Sequence, residues 1–160
     1  MRVIPYLLLL LGLPAMAGEP PPADVVATLL RTGCRGACAS YSVTVLSDGR
    51  VRYVGDRFVK VRGPASARLR QAELKSLRTA FAAARYLDLE DPSNCVGAIP
   101  DYPSVATSYD SGRRKREINH YLGCRSKPNE VLEKLEDRFD KIVKSARWVG
   151  TARERESRQD

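Results

Sequence analysis

Tyr41-Ser42-Val43-Thr44-Val45-Leu46-Ser47-Asp48-Gly49-Arg50-Val51-Arg52-Tyr53 decides the fold class of this chain. Tyr41, Val43 and Val45 alternate with Ser42 and Thr44, and Val51 and Tyr53 resume the alternation beyond Asp48-Gly49. Strict apolar–polar alternation is the pattern of a strand with one wet face. An Asp-Gly pair between two such runs is the strongest short-range hairpin signal. Upstream, Val25 to Leu30 reads as a first strand, joined by the tight loop Gly33-Cys34-Arg35-Gly36-Ala37-Cys38. Downstream, Val59 and Val61 alternate with Lys60 and Arg62 in a third antiparallel run.

The period then changes. From about Gln71 to Tyr86, Leu74, Leu77, Phe81 and Ala84 share one helical face. Asp91-Pro92-Ser93-Asn94 is a loop, and Pro100 and Pro103 keep the next stretch extended. Val105, Thr107 and Tyr109 alternate as a strand, Ser111-Gly112 turns it, and Ile118, His120 and Leu122 return on one face. Pro128 suits the first turn of a last helix carrying Val131, Leu132, Leu135, Phe139, Ile142 and Val143 as its apolar stripe. Glu130–Lys134, Asp137–Lys141 and Asp140–Lys144 lie at i,i+4 on its wet side. Strands, helix, hairpin, helix is most economically an α+β domain. The expectation is an antiparallel sheet of about five or six strands with the two amphipathic helices packed on one face. No βαβ unit and no 20–50-residue repeat is present.

The ends read differently from the middle. Arg2, the apolar run Val3 to Leu13 and Ala15-Met16-Ala17 make a secretory leader with cleavage expected after Ala17. A run this short does not span a bilayer, which takes about 20 apolar residues, so the mature chain is expected to carry no transmembrane segment. The expected organisation is a leader over 1–17, a Pro-rich spacer over 18–23, a single domain over 24–150 and a charged disordered tail over 151–160. The compartment is periplasmic or extracellular.

The 160 residues are 43% hydrophobic and 29% charged, which excludes collagen-like, low-complexity and multi-span membrane classes and leaves apolar material for one core. The formal charge is +8, with arginine outnumbering lysine. Such a balance attracts anionic surfaces in general and specifies no site.

Cys34, Cys38, Cys95 and Cys124 are an even set in an exported chain, the arithmetic of disulfides. Of three pairings, Cys34–Cys38 and Cys95–Cys124 is the expected one. The first two cysteines share one loop, and antiparallel pairing of the late hairpin brings the other two together. Thiol-redox chemistry at Cys34 and Cys38 is the enzymatic alternative, although C-x3-C is not the C-x-x-C of thioredoxins. A four-cysteine zinc site has the wrong spacing.

Other chemistry is sparse. His120 is the only histidine, sits at core parity and has no G-x-S-x-G partner motif. Phosphate-loop spacing is absent, so no cofactor is implied. Asp88, Glu90, Asp91, Asn94 and Asp101 could supply oxygen to calcium, against the plainer reading as a solvated loop. Arg113-Arg114-Lys115-Arg116 would project from a hairpin end, where contact with an anionic envelope polymer is the alternative to simple solvation. Specific nucleic-acid binding would need stacking aromatics or a reading helix, and neither is evident.

The string from Cys34 to Val43, with Asp48-Gly49, Val51-Arg52-Tyr53-Val54-Gly55, Asp101-Tyr102-Pro103 and Trp148-Val149, resembles a bacterial family of exported proteins catalogued only as a domain of unknown function. The family pattern runs C-x-G-x-C-P-x-Y, a D-G hairpin, a helix, an Asp-x-Pro stretch, a hairpin and a final helix. The likeness covers about residues 25–149, and Ala39 stands where proline is common. It implies one small mixed domain and no established activity. The sequence therefore points to a non-catalytic binding or scaffold module whose partner is a protein or envelope component. Tyr41, Asp101, Tyr102 and His120 are its candidate cleft residues, and their convergence is the property a structure must test.

Overall fold

The computed structural model describes residues 23–92, 95 and 97–156. The leader, nearly all of the spacer, Asn94 and residues 157–160 lie outside the described residues. The strands are β1 (Val25–Arg31), β2 (Tyr41–Leu46), β3 (Arg50–Gly55), β4 (Gly63–Arg68), β5 (Ser104–Asp110) and β6 (Lys115–Tyr121). They form one six-stranded sheet in the order β4-β3-β2-β1-β5-β6, and every neighbouring pair is antiparallel. The helices are α1 (Gln71–Ala83), α2 (Lys127–Val143), α3 (Ala146–Val149) and α4 (Ala152–Glu156), with a 3-10 turn at Tyr86–Asp88. The chain is thus an α+β domain.

The β2–β3 hairpin forms as its sequence demands. Gly49 N–H donates to the Leu46 carbonyl at 2.9 Å, closing a turn whose last residue has φ +85°. That is the left-handed conformation a three-residue hairpin loop requires, and a Cβ there would sit 2.7 Å from the Leu69 carbonyl oxygen.

The run at 59–62 is a correction. Val59 is buried, so its alternation is real, but the segment is a strap rather than a strand. Phe58 turns to φ +51°, and Lys60 and Val61 donate their N–H groups to the carbonyls of Val149 and Trp148 at 2.9 and 2.8 Å. Gly55 lets this strap lie against β3, because a Cβ at that position would overlap the Val61 carbonyl. The actual fourth strand, Gly63–Arg68, carries Pro64, Ala65, Ser66 and Ala67, small residues with little apolar signal.

Residues of one parity on the strands make the core. Leu29, Val43, Val45, Val51, Tyr53 and Val105 are fully enclosed. Phe81 of α1 stacks on Tyr109 at 4.3 Å between centroids and meets Phe139 of α2 edge-on at 6.3 Å. Trp148 of α3 stacks on Tyr53 at 4.9 Å. The opposite parity holds Thr28, Thr44 and Arg52 in one register row, and exposed Leu30 and Val54 flank Ser42 in the next.

Helix α2 begins at the N-cap Ser126, whose hydroxyl accepts the Asn129 N–H, and Pro128 sits in its first turn. It ends where Lys144 turns left-handed. Helix α1 starts where Glu73 accepts the Arg70 backbone N–H at 2.8 Å and Arg70 Nη2 at 3.1 Å. The same carboxylate takes Lys144 Nζ at 2.9 Å, tying the start of α1 to the end of α2. Past Gly150, where fraying is expected from composition, Ala152–Glu156 forms a helical turn and Glu154 pairs with Lys60 at 2.7 Å.

Candidate functional site

At the Arg31 end of β1 the sheet opens into a trough of two adjoining depressions, of about 390 and about 450 Å³. Cys38, Pro103 and Leu122 line both, which makes them one continuous surface. Tyr41 and Arg31 lie on one side, and Asp101, Tyr102, Cys34 and Arg125 on the other.

The polar floor is built around Asp140 of α2. Its Oδ2 accepts Arg31 Nε at 3.0 Å, Arg31 Nη2 at 2.9 Å and the Tyr41 hydroxyl at 2.9 Å. Its Oδ1 accepts the Ser145 hydroxyl at 2.5 Å. Burial disfavours the Arg31 charge, yet Asp140, Tyr41 and Glu136 together outweigh it and hold the guanidinium protonated beyond its ordinary range. Burial raises the Tyr41 phenol, and the neighbouring Asp140 charge raises it further. Tyr53 is pushed up to about 12 by burial and, secondarily, by the same carboxylate. A carboxylate whose two oxygens already serve four donor contacts is a structural hub tying β1, β2, α2 and the turn into α3.

Of the four candidate cleft residues, three reach the trough and one does not. Tyr41 is in its wall, with the hydroxyl committed to Asp140. Asp101, at φ +66°, pairs with Arg35 at 3.5 Å on the rim, and Tyr102 is 45% exposed beside it. That rim is laced to β6: Tyr102 N–H donates to the Tyr121 hydroxyl, which donates to the Ile99 carbonyl. His120 instead lies inside the core, where its Nε2 is 2.9 Å from Glu136 Oε1, and both side chains are wholly enclosed. Thr107 Oγ1 donates to the same oxygen at 3.0 Å. So enclosed, the histidine packs and hydrogen-bonds within the core.

Sequence reasoning missed Asp140, Arg31 and Glu136 as a set. A signal for Glu136 did exist, because it is a charge set inside the apolar arc of Leu132, Leu135, Phe139 and Val143. The i,i+4 pairs expected on α2 are replaced by longer-range ones. Asp137 and Asp140 turn to Arg31, and Lys144 turns to Glu73.

The cysteines stand at disulfide distance as Cys34–Cys38 (Cα–Cα 5.5 Å) and Cys95–Cys124 (5.6 Å). Among the described residues no group of three or more histidine, cysteine or acidic side chains is placed to hold a metal ion. Of the acidic side chains that could supply oxygen to calcium, Asp88 bonds Arg114 at 2.9 Å and Asp101 faces Arg35. The basic run is partly spent as well. Arg116 Nη1 donates to the carbonyls of Tyr86, Leu87 and Leu89, and Arg114 Nη2 to that of Leu87, so the two arginines clamp the 3-10 turn.

The fold and site define a small disulfide-stapled α+β domain with an antiparallel sheet and a trough at one end. The chain belongs to the family described as a domain of unknown function (DUF6438), whose model matches residues 26–143. A search of the curated proteins finds no match. No helix among the described residues is long and apolar enough to cross a membrane. Two cysteine pairs at bonding distance fit an oxidising compartment.

Proposed function

We propose that this is an exported binding module that receives a segment of a protein or envelope partner in the trough between Tyr41 and Tyr102. The leader over 1–17 would deliver it. One observation carries the reading: the trough combines a pre-formed apolar lining (Pro103, Leu122, Tyr102) with a polar floor in which Arg31, Tyr41 and Asp140 bond one another. A surface so arranged holds its shape without a ligand and is suited to binding rather than bond-breaking. The test is site-specific photocrosslinking in the producing cell with benzoylphenylalanine at position 102. A discrete adduct from position 102, absent when the probe stands at exposed position 75, supports the reading. Identical adducts from both positions overturn it.

A second reading, contact with an anionic polymer, is favoured by one observation. Lys134, Arg138 and Lys141 lie along one side of α2 around a depression of about 440 Å³, and none is ion-paired among the described residues. With Arg114 and Arg116 occupied at the 3-10 turn, this arc is the better anchor. Replacing all three by serine should abolish retention on heparin at low salt, and replacing Arg113 should not. Unchanged retention of the triple variant removes the idea.

A further inference from the structure

We propose that the Cys34–Cys38 disulfide is reactive, exchanging with a protein dithiol through attack at Cys38 with Cys34 as leaving group. The two bridges differ in setting. Cys124 is buried, whereas Cys34 and Cys38 flank an exposed three-residue loop and border the trough. Only Cys38 also borders the depression beside Tyr41, so a thiolate seated there meets Cys38 rather than Cys34.

The leaving group is prepared too. Gly36 N–H donates to Cys34 Sγ at 3.3 Å, a hydrogen bond that strengthens as that sulfur takes on negative charge. The nearby charges balance, since Arg35 is paired with Asp101 and Arg125 shares the trough lining with Glu133, so the Gly36 N–H is the group that favours the departing sulfur.

The exchange balances in two steps. The first thiolate of the dithiol bonds to Cys38 Sγ, and the S–S electron pair leaves on Cys34. The second thiol, deprotonated, then attacks the partner's own sulfur in the mixed disulfide and releases Cys38 as thiolate. The partner is oxidised by two electrons, the chain is reduced by two, and the two thiolates take up two protons.

The test uses the intact chain with glutathione and needs no partner, so its result stands apart from whether the trough binds anything. Equilibration across glutathione ratios, followed by alkylation and mass analysis, should show Cys34–Cys38 reduced more than fifty-fold more readily than Cys95–Cys124. A smaller separation overturns the proposal. The mixed disulfide trapped by acid should map to Cys38, and an adduct on Cys34 overturns the assigned direction. Gly36→Pro, which deletes the donor, should slow exchange about tenfold. Gly36→Ala keeps the N–H, places its Cβ at an ordinary 3.9 Å from Cys34 Sγ, and should leave the rate unchanged. Equal slowing in both variants removes the role of the hydrogen bond.

Discussion

Asp140→Ala tests the hub on which the trough depends. The substitution removes the acceptor for Arg31, for the Tyr41 hydroxyl and for Ser145 in one step. The Arg31 and Asp140 side chains are 19% and 18% exposed, so the pair is neither a surface ion pair nor fully enclosed. Breaking a buried pair costs about 3–5 kcal/mol, while exposed pairs are worth about 0–1 kcal/mol. Partial exposure, and the remaining Asp137 contact at 3.4 Å, place the charge term at about 2 kcal/mol. The orphaned Tyr41 hydroxyl adds about 1 kcal/mol. The expected loss is about 3 kcal/mol, or about 10 °C in Tm for a domain of this size. Urea unfolding with both disulfides intact, read by the fluorescence of Trp148 stacked on Tyr53, measures it. Asp140→Asn keeps an acceptor oxygen and should lose about half as much. Arg31→Met/Tyr41→Phe/Asp140→Leu leaves neither the charge nor the phenol uncompensated and should recover at least half of the loss. A loss below about 1 kcal/mol for Asp140→Ala, or a triple variant no better than the single, refutes the hub.

Four further outcomes follow from the same geometry. Glu136→Ala should destabilise by about 3 kcal/mol or more, because enclosed His120 and Thr107 both lose their acceptor; denaturant melts that shift by under 1 kcal/mol would contradict it. Glu73, bonded first by Arg70 and then by Lys144, and Glu154, bonded first by Lys60, are each lowered from 4.5 to about 2. Their contribution is complete above pH 4.5 and lost as pH falls towards 2, so carboxyl chemical shifts should show midpoints near 2 and Tm should fall across that window, less steeply in Glu73→Gln. Arg116→Ala should cost about 1.5 kcal/mol and raise amide exchange at residues 86–89, since three carbonyls lose this donor while that of Leu87 keeps Arg114; unchanged exchange there would refute the clamp. Gly55→Ala should cost about 3 kcal/mol by forcing the 59–61 strap off β3, and a crystal structure of the variant with the strap unmoved would count against that account.

Much of the architecture was legible locally. Alternation at 41–53 and 105–109, the Asp-Gly turn and the 3.6-residue stripes of both long helices each depend on neighbours in sequence, and each marks an element in the structure. The strap at 59–62 was misread because a buried valine shows the same alternation whether its backbone pairs with a strand or with Trp148 and Val149. Strand β4 was invisible because Pro64, Ala65 and Ala67 carry almost no apolar contrast.

The candidate site was legible only as ingredients. Tyr41, Asp101, Tyr102 and the Cys34–Cys38 loop were recognisable from their residue types, as were an even cysteine count and a histidine at core parity. Periodicity and turn chemistry act over a few residues, and they specify strands, helices and caps. Which distant groups meet is set by how those elements stack. Arg31 finds Asp140 across 109 positions of chain, and His120 is withdrawn from the trough because β6 turns it towards Glu136. Ion pairs and hydrogen bonds of that kind depend on distances of about 3 Å between elements, which only packing in three dimensions decides.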